Sequence, residues 1–249
     1  MPGKVQVFVT DEPEEVARGA ADDAAGLMRA DKRAVVLFAV GESPIGVYAE
    51  LAERRRGGTI DTSRIRAVQL DEYLGIPAED ERSFHGWLTR EILVPLSIPR
   101  ERTISLRGDA RDPAAECRRY EEAVARGGGL DLAILGLGHN GHLGFNEPPS
   151  GPDAPTRVVD LSDGTIEANA RDWGDAERVP RRAITAGMRV LLAARRTILV
   201  VTGEAKRAIL HATLEGPITP DVPASYLRTI GGVQVYVDRA AWEGDATAA

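Results

Sequence analysis

The chain has 249 residues, of which 43% are hydrophobic and 28% are charged, so it is long enough for one α/β domain with a sizeable buried core. Its formal net charge of -7 argues against a general binder of nucleic acids or anionic membranes, because either function needs a positive surface. No run approaches the ~20 apolar residues that span a bilayer, and the first residues lack a signal-peptide pattern. We therefore expect a cytoplasmic protein.

Short apolar runs alternate with helical patterns along the chain. The run 34–40, AVVLFAV, is continuously apolar, which is typical of a strand covered on both faces. Further strands are predicted at 5–9, 65–70, 130–135, 196–203 and 233–238, and helices at 14–30, 45–56, 83–93, 113–126 and 204–216. This alternation indicates a mostly parallel sheet with helices on both faces, in a single α/β domain over residues 1–249.

Four of the predicted strands end in segments with unusual residues. These segments are 41–44 (GESP), 71–73 (DEY), 138–147 and 203–206 (GEAK). Ligands of open parallel sheets bind beyond the carboxyl ends of the strands. We therefore expect all four segments at one edge of the sheet, where they would form a single site.

The segment GLGHNGHLGFNEP, residues 136–148, contains four glycines, two histidines, two asparagines and a glutamate. His142 and Glu147 lie in it five residues apart, and a histidine oriented by a carboxylate is a common proton-transfer unit. The alternative is a glycine-rich turn with solvated polar side chains. No HExxH pattern, cysteine pair or dinucleotide fingerprint is present, so neither a metal nor a nucleotide cofactor is indicated.

Asp71 is the second candidate for chemistry. A carboxylate that directly follows the strand 65–70 costs desolvation free energy unless it is partnered or working. It could serve as a general base, or it could be an ordinary helix cap or turn residue. The residue alone leaves both interpretations open.

In chain order, the motifs LDEYLG, AAECRRYEEAV, GLGHNGHLGFNEP, VPRRAITAG and GEAKRAIL closely resemble the glucosamine-6-phosphate deaminase family. The resemblance covers about residues 35–237. It implies a Rossmann-like fold of the kind found in ribose-5-phosphate isomerases and CoA transferases, with a small helical lid at about 160–182. It also implies conversion of glucosamine 6-phosphate to fructose 6-phosphate and ammonia, without a cofactor or a metal.

The resemblance assigns a role to each of four residues. Asp71 would move a proton from C2 to C1 of the sugar, and His142 would open the sugar ring. Glu147 would orient and charge this histidine. Asn140 stands where many members have aspartate, and the lost negative charge should lower the pKa of the imidazole.

The resemblance also implies how the substrate is bound. Arg171, in the helical lid, and Lys206, in the GxxK turn, would contact the phosphate. A cation at a helix start opposes the macrodipole, and a bound anion would offset that cost for Lys206. The other implied substrate contacts are Gly41, Glu42, Ser43 and Gly138.

The loop VGESP, residues 40–44, departs from the family's usual Thr-Gly-(Gly or Ser)-Thr-Pro pattern. Glu42 places a carboxylate where the phosphate is expected, and two like charges at ~5 Å repel by roughly 1 kcal/mol in water. The main alternative is therefore a related deaminase/isomerase for an unphosphorylated or modified amino sugar in specialised metabolism. A hydrolase of the 6-phosphogluconolactonase type is disfavoured by the FNEP motif. A sugar-sensing domain is disfavoured by the negative charge and by the lack of a DNA-binding segment before Val5. An oligomer is compatible with the sequence.

Overall fold

Ten strands and eight α-helices follow one another in the computed structural model, which describes residues 5–243. The strands are β1 (Gln6–Thr10), β2 (Val35–Phe38), β3 (Arg66–Gln69), β4 (Asp71–Tyr73), β5 (Thr103–Ile104), β6 (Leu132–Gly136), β7 (Arg157–Asp160), β8 (Arg182–Thr185), β9 (Thr197–Val201) and β10 (Val233–Asp238). The α-helices are α1 (Pro13–Ala30), α2 (Glu42–Arg56), α3 (Phe84–Leu88), α4 (Pro113–Arg126), α5 (Asp163–Trp173), α6 (Met188–Leu192), α7 (Arg207–Leu214) and α8 (Arg239–Trp242). A π-helical turn lies at Thr89–Leu93, and 3₁₀-helical segments lie at Arg100–Arg102, Ala176–Arg178, Glu204–Lys206 and Pro223–Thr229.

The central sheet has seven strands in the order β1-β10-β9-β6-β2-β3-β5, and every neighbouring pair is parallel. Alternate side chains of each strand enter different cores, because successive residues of a strand point to opposite faces. In β2, Val36 and Phe38 pack with residues of α1 and α2, whereas Val35 and Leu37 pack with residues of α4, α6 and α7. Helices on both faces of a mostly parallel sheet confirm the predicted fold class.

The predicted strands of the central sheet are confirmed to within a few residues, and the helices differ from prediction mainly at their ends. Helix α1 begins after Glu12, and the Asp11 side chain does not cap it. Instead, the backbone N–H of Asp11 donates to the Glu15 carboxylate over 3.2 Å. The predicted helix at 83–93 is α3 followed by one π-helical turn, and the one at 204–216 begins as a 3₁₀ turn.

A second sheet lies beside the first, and the sequence pattern does not indicate it. It is antiparallel, with the order β4-β8-β7, and it pairs Asp71 with Thr185. Asp71 thus follows the carboxyl end of β3, as predicted, but it also begins a new strand. The strands β7 and β8 read RVVD and RAIT, which lack the long apolar runs that identify the central strands.

Residues 160–182, the predicted lid, connect β7 to β8 through α5 and a 3₁₀ turn at Ala176–Arg178. A third hydrophobic cluster holds this connection in place. It contains Trp173 of α5, Tyr73 of β4 and Phe145 of the glycine-rich segment. The rings of Tyr73 and Trp173 meet edge to face, with 5.4 Å between centroids.

None of the helices within residues 5–243 combines the length and apolar character that a bilayer crossing requires.

Candidate active site

A cavity of about 430 Å³ opens at the carboxyl ends of β2, β6 and β9. Each of the four strand-end segments contributes to its wall, as the sequence predicts: 41–44, Asp71, part of 138–147, and Lys206. The cavity is also lined by α5, from Thr165 to Asp172. Of the predicted site residues, only Asn140 and Glu147 do not line it.

Asp71 is a buried carboxylate without a hydrogen-bond donor. Its residue is 5% exposed, and its Oδ1 atom has no partner among the described residues. Burial raises the pKa of Asp71 well above its usual value, and the negative charge of Glu72 raises it further. A carboxylate in this state, when ionised, is a stronger base than one in water.

The neighbouring carboxylate, Glu72, has a different environment. It accepts hydrogen bonds from the backbone N–H groups of Tyr73, Phe84 and His85, at 2.9–3.0 Å, and from Nε2 of Gln69, at 3.1 Å. Because successive residues of a strand face opposite sides, Asp71 lines the cavity while Glu72 binds the start of α3. Of this adjacent pair, Asp71 alone has a carboxylate available to a substrate.

A close backbone approach brings the glycine-rich segment against Asp71. Gly144 has a φ of +58°, and a Cβ at this position would lie 3.1 Å from Oδ2 of Asp71. A side chain at this position would therefore strain the backbone and would also crowd the Asp71 carboxylate. The N–H of the next residue, Phe145, donates to Oγ1 of Thr185 over 3.2 Å. The same segment thus contacts both members of the Asp71–Thr185 strand pair.

His142 is held by Asn140. The Asn140 Oδ1 atom lies 2.7 Å from Nδ1 of the imidazole and 3.3 Å from the backbone nitrogen of His142. The pKa of His142 falls to about 4, chiefly because the ring is buried, and the charges of His139 and Lys206 lower it further. The imidazole is therefore neutral at neutral pH.

Gly138 lies directly against the imidazole ring. A Cβ added at this glycine would come within 2.2 Å of Nε2 and Cδ2 of His142. The absence of a side chain therefore makes room for the histidine. This gives Gly138 a structural role in addition to its place on the cavity wall.

The resemblance predicts that Glu147 orients His142, but the structure does not place the two side chains in a hydrogen bond. Its carboxylate instead accepts from the backbone N–H of Ser162, at 3.1 Å, and from Oγ1 of Thr165. Both donors lie at the start of α5, so the Glu147 carboxylate is hydrogen-bonded to the N-terminus of that helix. Glu147 still acts on His142 through its charge, which opposes the burial-driven fall in the pKa of His142.

Two cations line the cavity. Lys206 is half-buried and its Nζ donates to the carbonyl of Leu137 over 2.7 Å. Arg171, in the last turn of α5, is exposed and forms an ion pair with Glu42, the first residue of α2. The cavity therefore contains the local positive charge that an anionic ligand needs in an acidic protein.

Two further cavity residues are not identified by the sequence reasoning. His139 is exposed, and its ring stands perpendicular to that of His142 with 5.5 Å between centroids. Its place in the glycine-rich segment was an available signal. Thr165 is a buried residue of α5, and nothing in its local sequence separates it from other helix residues. Within residues 5–243, no group of three or more His, Cys, Asp and Glu side chains is placed to hold a metal ion.

The comparisons with known proteins agree with the motifs. Residues 10–236 match the family described as glucosamine-6-phosphate isomerases/6-phosphogluconolactonase. The chain belongs to this family. It is 39% identical to the glucosamine-6-phosphate deaminase of Halothermothrix orenii over 237 residues, which are 95% of this chain and 98% of that protein. It is also 39% identical to the glucosamine-6-phosphate deaminase of Streptomyces coelicolor over 95% of this chain and 91% of that one. These relatives confirm the resemblance to the deaminases of the family.

Solved structures of the family have the same fold. A glucosamine-6-phosphate deaminase described as monomeric superposes with a TM-score of 0.92 at 35% identity, over 95% of this chain and 98% of that one. The 6-phosphogluconolactonase of Trypanosoma cruzi superposes with a TM-score of 0.77 at 20% identity, over 99% and 98% of the two chains. At that identity the likeness to the lactonase shows the fold alone.

Proposed function

We propose that this protein converts glucosamine 6-phosphate and water to fructose 6-phosphate and ammonia, as an aldose–ketose isomerase and deaminase. The observation that carries the proposal is the pairing of an unpartnered, buried Asp71 with a neutral His142 on the wall of one cavity. Lys206 and Arg171, on the same wall, supply positive charge for a phosphate. The relatives that are 39% identical are glucosamine-6-phosphate deaminases, which supports this substrate.

The first step is opening of the sugar ring, and we assign it to His142. The Asn140 oxygen accepts a hydrogen bond from the protonated Nδ1, so that Nε2 carries the free lone pair. Nε2 takes the proton of the hydroxyl on C1 while the bond from C1 to the ring oxygen breaks. Nε2 then gives this proton to the ring oxygen, which yields the open-chain aldehyde and restores the neutral imidazole.

The second step is transfer of a proton from C2 to C1, and we assign it to Asp71. The ionised carboxylate removes the proton from C2, and the aldehyde oxygen takes a proton from the substrate's own ammonium group, which gives an enolamine. Asp71 returns its proton to C1, and the nitrogen then forms an imine with C2. Water adds to C2, the C2–N bond breaks, and ammonia is released. The product is the ketone fructose 6-phosphate.

A carboxylate removes a proton from carbon effectively only where water is excluded. We assign this exclusion to α5, which forms one wall of the cavity. Its apolar anchor, Trp173, packs on Tyr73, two residues after Asp71, so the position of the lid is linked to that of the base. Closure of α5 over the substrate would complete the site.

The test is production of ammonia and fructose 6-phosphate from glucosamine 6-phosphate, each measured in a coupled assay with purified protein. Free glucosamine and 6-phosphogluconolactone are assayed in parallel. Release of both products from the phosphorylated amino sugar, and its loss in Asp71→Asn, would support the proposal. Faster turnover of free glucosamine would support instead the unphosphorylated amino sugar that Glu42 suggests. Hydrolysis of the lactone without release of ammonia would contradict both.

A further inference from the structure

The rim of the cavity carries an ion pair between Glu42 and Arg171. The two residues are 129 positions apart in sequence and belong to different helices, α2 and α5. Both side chains are largely exposed, at 82% for Glu42 and 77% for Arg171, and both line the cavity. The pair therefore joins the predicted lid to the first residue of α2.

Such a pair is held weakly. Two exposed side chains attract one another through water and lose conformational freedom on pairing, so their net contribution is small. An anion with two negative charges can replace a single carboxylate on the arginine at little cost. In the protein without substrate, Arg171 is thus paired with Glu42 but can still exchange this partner for a phosphate.

Glu42 also affects the second cation of the cavity. Burial lowers the pKa of Lys206, and the charge of Glu42 opposes that effect. The hydrogen bond from Arg171 to Glu42 raises the pKa of the arginine, and Asp172 adds to this through a 3.8 Å contact. Of the two acidic residues near Arg171, Glu42 is thus the one whose charge reaches both cations.

The position of Glu42 is itself suited to an anion. It is the first residue of a 15-residue helix, where the positive end of the helix dipole favours negative charge. The preceding Gly41 has a φ of +145°, a conformation that brings the backbone close to the cavity without a side chain. The Glu42 carboxylate and a phosphate from the solvent therefore compete for the same positive end of the helix dipole.

On the basis of the function proposed above, we propose that Glu42 determines ligand specificity as the resident counter-ion of Arg171, which the substrate's phosphate must displace. Displacement breaks the ion pair and leaves the carboxylate beside the incoming phosphate. Glu42 therefore weakens the binding of phosphorylated ligands and leaves the binding of uncharged sugars nearly unaffected.

The test is the affinity for inorganic phosphate, measured by titration calorimetry, in the wild type and in Glu42→Gln. The amide keeps the shape of the side chain and removes its charge. We expect phosphate to bind about three- to tenfold more tightly to Glu42→Gln. This is the change in affinity expected when one negative charge beside the bound phosphate is removed. The gain should shrink with added salt, since both groups are exposed.

A matched control is Glu53→Gln. Glu53 is exposed, lies on the same helix and pairs with Arg56, but it does not line the cavity. It should leave phosphate affinity unchanged. In an Arg171→Ala background, Glu42→Gln should give a smaller gain, because the resident pair is already broken.

Unchanged or weaker phosphate binding in Glu42→Gln would overturn the inference, as would an equal gain in Glu53→Gln. Calorimetry needs no turnover, so its outcome is separate from that of the ammonia assay. If ammonia is released from glucosamine 6-phosphate and Glu42→Gln leaves phosphate affinity unchanged, the inference about Glu42 fails while the proposed function stands. If phosphate binds as expected but no ammonia is formed, the proposed function fails and the counter-ion role is supported.

Discussion

The Oδ1 atom of Asn140 lies 2.7 Å from Nδ1 of His142 and also accepts from the backbone N–H of that residue. Because a backbone N–H can only donate, the contact atom must be the amide oxygen, and Nδ1 must carry a proton. Nε2 is then the basic nitrogen. Asn140 thereby fixes the tautomer of His142 without adding a negative charge, so the imidazole stays neutral.

Asn140→Asp should raise the pKa of His142 by roughly one to three units, because a carboxylate at this distance stabilises the charged imidazole. The measurement is an NMR titration of the imidazole C–H signals. The chain has four histidines, and His85 and His211, which lie away from the site, serve as internal references. A His142 titration that does not move would mean that Asn140 is not its partner in solution.

Asp71→Asn should slow exchange of the C2 proton by about 10²- to 10⁴-fold, the usual effect of removing a general base. The measurement is incorporation of solvent deuterium at C2 of the substrate. Its matched control is Glu72→Gln, which changes the neighbouring buried carboxylate and leaves the base in place. A folded Asp71→Asn protein that exchanges at the wild-type rate would remove Asp71 from the mechanism.

The same substitution should change how stability depends on pH. The pKa of Asp71 is raised in the folded state, so the folded protein holds this proton to a higher pH than the unfolded chain. Stability is then lost as the pH rises through the folded-state pKa. Asp71→Asn should therefore stabilise the protein more at pH 8 than at pH 5, as measured by thermal unfolding. An equal effect at both values would contradict the raised pKa.

Gly138→Ala should strongly reduce activity while the protein remains folded. The added Cβ would come within 2.2 Å of the imidazole, which must then leave its hydrogen bond to Asn140. Gly151→Ala is the matched control in the same region, because nothing lies within 4 Å of the Cβ it adds. The measurements are kcat for ammonia release and the unfolding temperature. Equal activity of the two variants would mean that the ring has room to move.

Glu147→Ala and Thr165→Val should be non-additive, because each removes the hydrogen bond that the Thr165 hydroxyl of α5 donates to the Glu147 carboxylate. Contacting residues usually show coupling of about 0.5–3 kcal/mol. A double-mutant cycle on the free energy of urea unfolding measures it. The cycle between Glu147 and His142 is the comparison, and it should give less coupling, since these residues share no hydrogen bond. The reverse order would restore the orienting role of Glu147.

Most of the central sheet was accessible from sequence because its inner strands are mainly apolar, whereas the two-residue edge strand β5 was not predicted. Val35–Phe38, Leu132–Gly136 and Thr197–Val201 are buried on both faces, and burial of this kind leaves a clear pattern. The convergence of four strand ends on one cavity followed from the parallel topology. The second sheet could not be found in the same way, because β7 and β8 are short and partly exposed.

The site shows the same division between local and long-range information. Asp71, His142 and Lys206 were found because each follows a recognisable strand. The partners of Glu147 were not, because Ser162 and Thr165 lie 15 and 18 residues further on and are brought close only by the fold. The pairing of Glu42 with Arg171 likewise depends on where the fold places two residues that are 129 positions apart, which no local pattern records.

Thr185 holds the two proton-transfer segments together, whereas the rim of the cavity lies outside its contacts. It pairs with Asp71 in the second sheet and accepts a hydrogen bond from Phe145, so one residue braces both proton-transfer segments. Glu42 and Arg171 lie outside this brace, on an exposed rim. Substitutions at the rim can therefore alter which sugars enter while the spacing of base and imidazole is kept. Directed evolution towards new amino sugars would find a tolerant position at 42 and an intolerant one at 185.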